Sequence, residues 1–419
     1  MLNMKVNGII AEYNPFHNGH KYHLEESLRR TQADYTVIVM SGDFVQRGAP
    51  AMLDKHTRTE MALRCGADLV LELPVLYATA SAEYFASGAV ALLDSLGVVT
   101  HLCFGSEYPA QERESNISLL QIASLLMEES ETYRSVLKEF LRRGLSYPLA
   151  RGMALSQCHP SLEPYANTFS SPNNILGIEY CKAILRRQSR ILPIAIPRLG
   201  AGYHDEEISS RFGSALAIRK ALCSGYSAQR LSAHIPEAAL MLLVEYMKEI
   251  PPICSDDFSS ALYYKLLMEK ELGYERYMDV SADLSNRIRN LSGEFTGFDA
   301  FCKLLKTKDM TYTRISRSLL HILLSIQKEH MALGRKIDYT PYARVLGFRR
   351  QAIPLLNAVK KQASIPLVTK VANAKKSLPP DAGKLLQLDI LSGELYQGIA
   401  ALQSGQKAVN EISRPIVTV

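Results

Sequence analysis

Five apolar runs, separated by helical patterns over the first 200 positions, constrain this chain more than any other feature. They are VNGIIA (6–11), YTVIVMS (35–41), ADLVLELP (67–74), VVTHLCFG (98–105) and SRILPIAIPR (189–198). None alternates strictly between apolar and polar residues. A strand is apolar on both sides when both faces of its sheet are covered. Helical periodicity lies between the runs, in NGHKYHLEESLRRT (18–31), near 55–65, and in SAEYFASGAVALLDSL (81–96). Strand and helix in alternation predict an α/β fold, a doubly wound parallel sheet of the Rossmann type. GDFVQRGAPAML, after the second run, reads as a loop. The stretch from about 110 to 188 is mostly helical in pattern and reads as an insertion.

Past residue 225 the strand signal fades. EAALMLLVEYMKEI, SSALYYKLLMEKEL, DLSNRIRNLSG, FDAFCKLLKTK and YTRISRSLLHILLSIQ all carry helical periodicity. Turn signals return at Pro341, Pro354, Pro366 and LPPDAG (378–383). A length of 419 residues exceeds one compact core. The expected division is 1–225, a helical stretch 226–340, and a mixed region 341–419 packed on the helical stretch. Residues 281–419 hold 21 basic and 10 acidic side chains, the remainder 27 and 32. A mildly acidic front on a basic back predicts a catalytic part and a part that grips a polyanion. A solvated basic surface with no partner explains the charge equally well.

No apolar run approaches the roughly 18 residues of a membrane span. The N-terminal stretch has a short apolar run and no A-x-A site, so neither a secretory leader nor a membrane association is expected. Seven widely spaced cysteines without a C-x-x-C predict reduced, mostly buried thiols. The expected location is the cytoplasm.

Three of the ten histidines, His17, His20 and His23, fall within EYNPFHNGHKYH (12–23), directly after the first apolar run. In an open parallel sheet, ligands bind beyond the carboxyl ends of the strands. A helix that begins there offers N–H groups and a partial positive charge to an anion. Imidazoles at that point can donate to phosphate oxygens and stabilise charge that grows during phosphoryl chemistry. Gly19 permits a close approach, and Asn14 with Pro15 suits a rigid turn. Zinc is the weaker reading, because no Cys, Asp or Glu stands near at ligand spacing. A capping or solvated role fits His23 best.

PFHNGH (15–20) resembles the H-x-G-H signature of the nucleotidylyltransferase superfamily, which includes the class I aminoacyl-tRNA synthetases. Six segments in order, AEYNPFHNGHKYHL, VMSGDFVQRGAPA, LELP, FGSE, SPNNILGIEY and LLKTKDMTYTRISR, resemble the bacterial tRNA(Met) cytidine acetate ligase family. The resemblance covers nearly the whole chain, with the tail after 380 weakest. It implies a two-step reaction. Acetate attacks the α-phosphate of ATP, giving acetyl-adenylate and pyrophosphate. The N4 amine of the wobble cytidine in elongator tRNA(Met) then attacks the acetyl carbon, giving N4-acetylcytidine and AMP. It also implies ATP binding in 1–225, tRNA binding in 226–340, and Mg²⁺ accompanying ATP. Two readings compete. A coenzyme-type adenylyltransferase would not need the helical basic half, and a non-catalytic RNA-binding protein would not need His17, Gly19 and His20.

By that resemblance His17 and His20 meet the ATP phosphates. Ile9, Ile10, Ala11, Glu12, Tyr13, Asn14, Pro15, Phe16, Asn18, Gly19, Lys21, Tyr22 and His23 wrap the nucleotide with them. One of Asn173 and Asn174 contacts the nucleotide, although a helix N-cap in this pair is the competing explanation. Gly105, beside Ser106 and Glu107, lets the adenosine approach, although a plain strand-exit turn would also use it. Arg198 and Leu199 stand where the adenine would sit. GSALAIR (213–219) resembles the superfamily's second phosphate motif at Ser214, Ile218 and Arg219, and departs from it at Leu216. At the end of the second strand, Ser41 and Asp43 are placed to face the acyl group as catalytic residues. Asp43 alternatively holds Mg²⁺ or makes an Asx-turn. Arg47 in QRG reaches a phosphate of ATP or RNA. Lys303, Lys306, Lys308, Tyr312, Arg314 and Arg317 make a basic face with an aromatic among them, suited to gripping tRNA; a solvated face is the alternative.

Overall fold

Val37 and Val39 of the second apolar run are buried in one core, and Ile38 and Met40 in a second core. Leu69 and Leu71 join the first and Val70 the second. Alternate side chains of a strand point to opposite faces, so these runs are unbroken because each feeds two cores. The computed structural model describes residues 4–107, 114–128, 130–145, 147–160, 171–197, 214–308 and 310–419.

The parallel strands are β1 (Val6–Ala11), β2 (Tyr35–Ser41), β5 (Leu69–Leu73), β6 (His101–Ser106) and β7 (Leu192–Pro197). Between β2 and β5 a small antiparallel hairpin joins β3 (Phe44–Val45) to β4 (Ala49–Pro50), in the segment read as a loop. The parallel strands lie in the order β5-β2-β1-β6-β7. That is the doubly wound arrangement, with its switch point between β1 and β6. The α/β class read from the sequence is therefore the observed one. Helices Asn18–Thr31, Lys55–Arg64 and Ala82–Ser95 fall where their periodicity placed them. Between β6 and β7 stand helices Glu114–Glu128, Glu131–Arg142, Tyr147–Cys158 and Pro172–Arg186. From Ala215–Cys223 through Lys328–Lys336 the described chain is predominantly helical.

The last region departs from the sequence reading, which put 341–419 on the helical stretch. It completes the sheet. β8 (Ala343–Phe348) runs antiparallel to β5, and β9 (Leu367–Val368) and β10 (Val417–Thr418) run parallel to β8. Among the described residues the sheet thus has eight strands. Arg344 disguises β8. It is 3% exposed, its charge met by Glu72 at 2.8 Å and Glu411 at 2.5 Å. LPPDAG, read as a turn, starts a 25-residue helix, Pro380–Ser404, with proline at its first position, where a missing N–H costs nothing. That helix reaches both halves. The Tyr396 hydroxyl donates to Ala51 O at 2.8 Å, and Gln403 Nε2 donates to Asp257 Oδ1 at 2.8 Å.

Of the cysteines, Cys103, Cys181 and Cys302 are buried, Cys65, Cys158 and Cys254 partly so, and Cys223 is exposed. The thiols are thus less buried than expected. Among the described residues no helix is long and apolar enough to cross a membrane.

Candidate functional site

β1 leaves the sheet at Ala11, and Tyr13 turns the chain with φ 48° before helix Asn18–Thr31 begins. His17 is the N-cap of that helix. Its Nδ1 accepts from Gly19 N at 3.0 Å, and His20 Nδ1 accepts from His17 N at 3.3 Å. This is a capping box built from two imidazoles in place of the usual hydroxyl and carboxylate. The rings stack with centroids 3.8 Å apart. A nitrogen that accepts from an N–H carries no proton, so the proton of each neutral ring sits on Nε2. Capping thereby fixes both histidines as Nε2–H donors. Gly19 has a local reason: a Cβ there would lie 2.8 Å from His17 Cε1.

A cavity of about 250 Å³ opens beside these rings. Of the residues read from the sequence, Ile9, Ile10, Ala11, Glu12, Tyr13, Asn14, His17, Gly19, His20, Tyr22, His23, Gly105, Asn173 and Ser214 line it. Its position, at the carboxyl ends of β1, β6 and β7, is where the topology places ligands. Neither asparagine is the N-cap expected of one of them: Ser171 holds that position, and both lie inside helix Pro172–Arg186. Asn173 faces the cavity, while buried Asn174 accepts at Oδ1 from Ser106 Oγ at 2.7 Å and from Glu107 N at 3.1 Å. Ser214 caps helix Ala215–Cys223, its Oγ accepting from Ala217 N at 3.1 Å. The N-termini of this helix and of Asn18–Thr31 both border the cavity, an arrangement suited to an anion.

Other predicted residues stand elsewhere. Pro15 and Phe16 are buried beneath the loop, and Lys21 is exposed beside Glu25. Asn18 Nδ2 donates to Ala233 O at 2.8 Å, tying the loop to the helical half. Arg198 and Leu199 lie outside the described residues.

Ser41 and Asp43, read as catalytic, do not line the cavity. Ser41 is 0% and Asp43 3% exposed. Asp43 Oδ1 accepts from Lys55 N at 2.8 Å, and its other oxygen lies 3.5 Å from Lys55 Nζ. Lys55 Nζ also meets Glu72 at 2.8 Å and Glu411 at 2.5 Å. Asp43 therefore belongs to a buried ion cluster that ties the hairpin to β5, β8 and the C-terminal segment. Burial pushes its carboxyl up to about 6, opposed by the Lys55 ammonium.

The sequence reading missed Arg58. Its side chain is fully buried and bonds to carbonyls: Nε to Leu53 O at 2.9 Å, Nη1 to Glu12 O at 2.6 Å and Ser41 O at 3.1 Å, and Nη2 to Gly42 O. It fastens together the exits of β1 and β2. Helix position 58 in KHTRTEMALR gave no signal of this. Arg219 was named in the motif, and it lines the cavity while its Nη1 donates to Asn14 O at 2.7 Å. Leu216, where the motif departs from its usual form, lines the cavity with an apolar side chain, as do Phe85, Phe104 and Leu176. Gln46 and Arg47 reach it from the hairpin tip, and Gln46 N donates to Glu12 Oε1 at 2.9 Å.

The basic face is partly committed to the protein itself. Tyr312 OH donates to Asp299 Oδ1 at 2.7 Å, and Arg317 Nε lies 3.0 Å from Asp279 Oδ2. Lys303, Lys306, Lys308 and Arg314 are exposed. Lys308 lies near Gly144 at the end of helix Glu131–Arg142, so the exposed Arg142 and Arg143 extend this positive surface onto the insertion.

Residues 4–411 match the family model described as HIGH Nucleotidyl Transferase. The chain is 40% identical to the tRNA(Met) cytidine acetate ligase of Acetivibrio thermocellus, over 99% of this chain and 100% of that one. It is 41% identical to that of Clostridium kluyveri, over 99% of each. Thermotoga maritima TmcAL bound with alpha-thio ATP superposes with a TM-score of 0.88 at 32% identity, covering 99% of this chain and 100% of that one. The apo form superposes with a TM-score of 0.90. Full-length similarity at this level, with the double-histidine cap at the switch point of the sheet, makes this chain a member of the tRNA(Met) cytidine acetate ligase family within the HIGH nucleotidyl transferases.

Proposed function

We infer that the chain is an ATP-dependent ligase that activates acetate as acetyl-adenylate and transfers the acetyl group to N4 of the wobble cytidine of elongator tRNA(Met). The observation that carries this reading is the pair of tautomer-fixed histidines at a helix N-terminus lining the cavity, in a chain similar end to end to ligases of that name. ATP lies in the cavity, its phosphates toward the two helix N-termini. Acetate oxygen bonds to the α-phosphorus as the bond to pyrophosphate breaks. Charge grows on the leaving oxygens, and Nε2–H of His17 and His20 stabilise it without reorganising. Arg219, at the same end of the cavity, adds positive charge. The mixed anhydride is needed because a free carboxylate is a poor electrophile and the lone pair of the cytosine amine is delocalised into its ring. Attack by N4 releases AMP and a proton.

Magnesium enters as the ion that accompanies ATP. Among the described residues no three His, Cys, Asp or Glu groups converge as metal ligands. Glu12, the carboxylate at the cavity, already accepts from Gln46 N. These residues do not fit a metal held by the protein alone, so no step is assigned to it.

The base must leave its stack for N4 to reach the acyl group, at a cost of a few kcal/mol that binding elsewhere offsets. Exposed Lys303, Lys306, Lys308 and Arg314 supply that binding. The test is incubation with ATP, labelled acetate and bacterial tRNA, followed by nucleoside analysis. The expected product is labelled N4-acetylcytidine, with one AMP and one pyrophosphate per acetyl group. Adenylyl transfer to a small phosphorylated acceptor, with no labelled nucleoside, would instead favour the coenzyme-type reading.

A further inference from the structure

The tip of the β3–β4 hairpin touches both parts of the proposed reaction. On one side Gln46 and Arg47 line the cavity, and Gln46 N holds Glu12. On the other side Gly48 lies against helix Tyr312–Leu323, the helix that presents Arg314. Gly48 has φ +77°, and a Cβ on it would stand 2.3 Å from Arg317 N and 2.6 Å from Ser316 C. The Ser316 hydroxyl donates to Gly48 O at 2.8 Å. Backbone meets backbone here, with no side chain between them to absorb a displacement. A close-packed contact of this kind transmits small shifts instead of damping them.

The helix is tethered on its other flanks. Arg317 pairs with Asp279, Ser318 Oγ donates to Asp279 O at 3.1 Å, and His321 lies 3.0 Å from both Met278 O and Thr79 O. Its amino end, capped by Thr311 and carrying Arg314, is the end nearer solvent. Tyr312 ties the amino end to Asp299 as well, so a load applied at Arg314 acts on a helix braced along its length and bearing on Gly48 near its middle.

We propose that Gly48 and Ser316 are positioning residues that couple tRNA docking on helix Tyr312–Leu323 to the setting of Arg47 in the nucleotide cavity, so that acetate activation is faster when tRNA is bound. The proposal rests on the ligase reading above. Arg47 is the group that acts, because it borders the space where ATP and acetate must meet. Gly48 and Ser316 act through it.

The experiment is acetate-dependent exchange of labelled pyrophosphate into ATP, at saturating ATP and acetate, with and without elongator tRNA(Met). The native chain should exchange at least about 5-fold faster with tRNA, the lower end of ordinary coupling between sites. Ser316→Ala removes one hydroxyl and no backbone. It should keep the tRNA-free rate and lose most of the tRNA increment, while Ser316→Thr, which keeps the hydroxyl, restores it. Arg47→Ala should lower kcat for exchange both with and without tRNA more than it raises the KM for ATP. Equal native rates with and without tRNA overturn the proposal, as does a full tRNA increment in Ser316→Ala. Failure of the ligase reading is distinguishable, since the native chain would then show no acetate-dependent exchange and form no N4-acetylcytidine.

Discussion

Replacing Arg58 with methionine tests whether the cavity's frame depends on one buried cation. The guanidinium bonds to the carbonyls of Leu53, Glu12, Ser41 and Gly42 and is fully buried. Methionine fills similar volume and donates nothing. Hydrogen bonds to charged groups contribute about 1.5–3 kcal/mol each, but four that share one side chain do not add. Relaxation and water entry recover part of the loss, and a buried acceptor left without its donor costs about 1–3 kcal/mol. We expect a destabilisation of about that size, against roughly 5–15 kcal/mol for a whole domain. Urea unfolding should show it as a lower midpoint at unchanged slope. Arg58→Lys keeps the charge but not the planar fork, and should fall between native and methionine. In the fraction that remains folded, acetate-dependent pyrophosphate release should drop about 10²-fold, because Glu12 and its neighbours lose their anchor. An Arg58→Met protein within about 1 kcal/mol of native stability would refute the reasoning.

Capping and phosphate contact are separable at His17. Asparagine is also a good N-cap, so His17→Asn should hold stability within about 0.5 kcal/mol by thermal unfolding, while acetyl-adenylate formation slows by about 10²–10³-fold; an unchanged rate would remove His17 from the chemistry. Arg314→Ala should weaken tRNA binding and flatten its dependence on salt. Arg317→Ala, which breaks a pair with Asp279, should act mainly on stability, and the reverse pattern in filter binding and melting would count against this division. Asp389 is pushed up to about 7 by burial first and Glu72 second, and Asp43 to about 6 by burial. Both lie above the ordinary 3.8, so their contribution to stability is full below about 3.8 and is lost as pH rises through 6 to 7. Buried His56 and His321, held low by burial, act with the opposite sign below about 6.5. The quantity to measure is therefore the difference between native and Asp389→Asn unfolding profiles, which should change by roughly 2–3 kcal/mol between pH 8 and 5; parallel profiles would show that Asp389 does not titrate in that window.

What was legible in the sequence, and what was not, follows from how far apart the interacting residues lie. The parallel sheet could be read because each strand carries its own signal, the unbroken apolarity of Val37 to Met40 or Leu69 to Leu71. The histidine cap could be located because all its parts fall within four positions, His17 to His20. It was read as a ligand site with capping as a rival, whereas the capping bonds are what orient the rings. The basic residues from Lys303 to Arg317 read as one group in the sequence, with no sign of which are committed to the protein itself, because the partners of Tyr312 and Arg317 are the distant Asp299 and Asp279.

The buried cations were illegible for a sharper reason. Lys55, Arg58 and Arg344 are 1%, 0% and 3% exposed, yet in a helix or strand each reads as a surface residue. The groups that make their burial tolerable come from elsewhere in the chain: Glu72 and Glu411 for Lys55 and Arg344, and carbonyls of two strand exits for Arg58. Glu411 is the telling case. It lies in a tail that carries the weakest resemblance to the family, yet it is 0% exposed and bonded to Lys55 and Arg344. Burial opposes the charge of its carboxyl, but Lys55 and Arg344 together hold it below its ordinary range. Removing that carboxylate leaves two buried cations with Glu72, Asp43 and the nearby Asp389 to balance them. The C-terminal segment is therefore part of the buried frame that holds Lys55, Arg344 and Asp43 together.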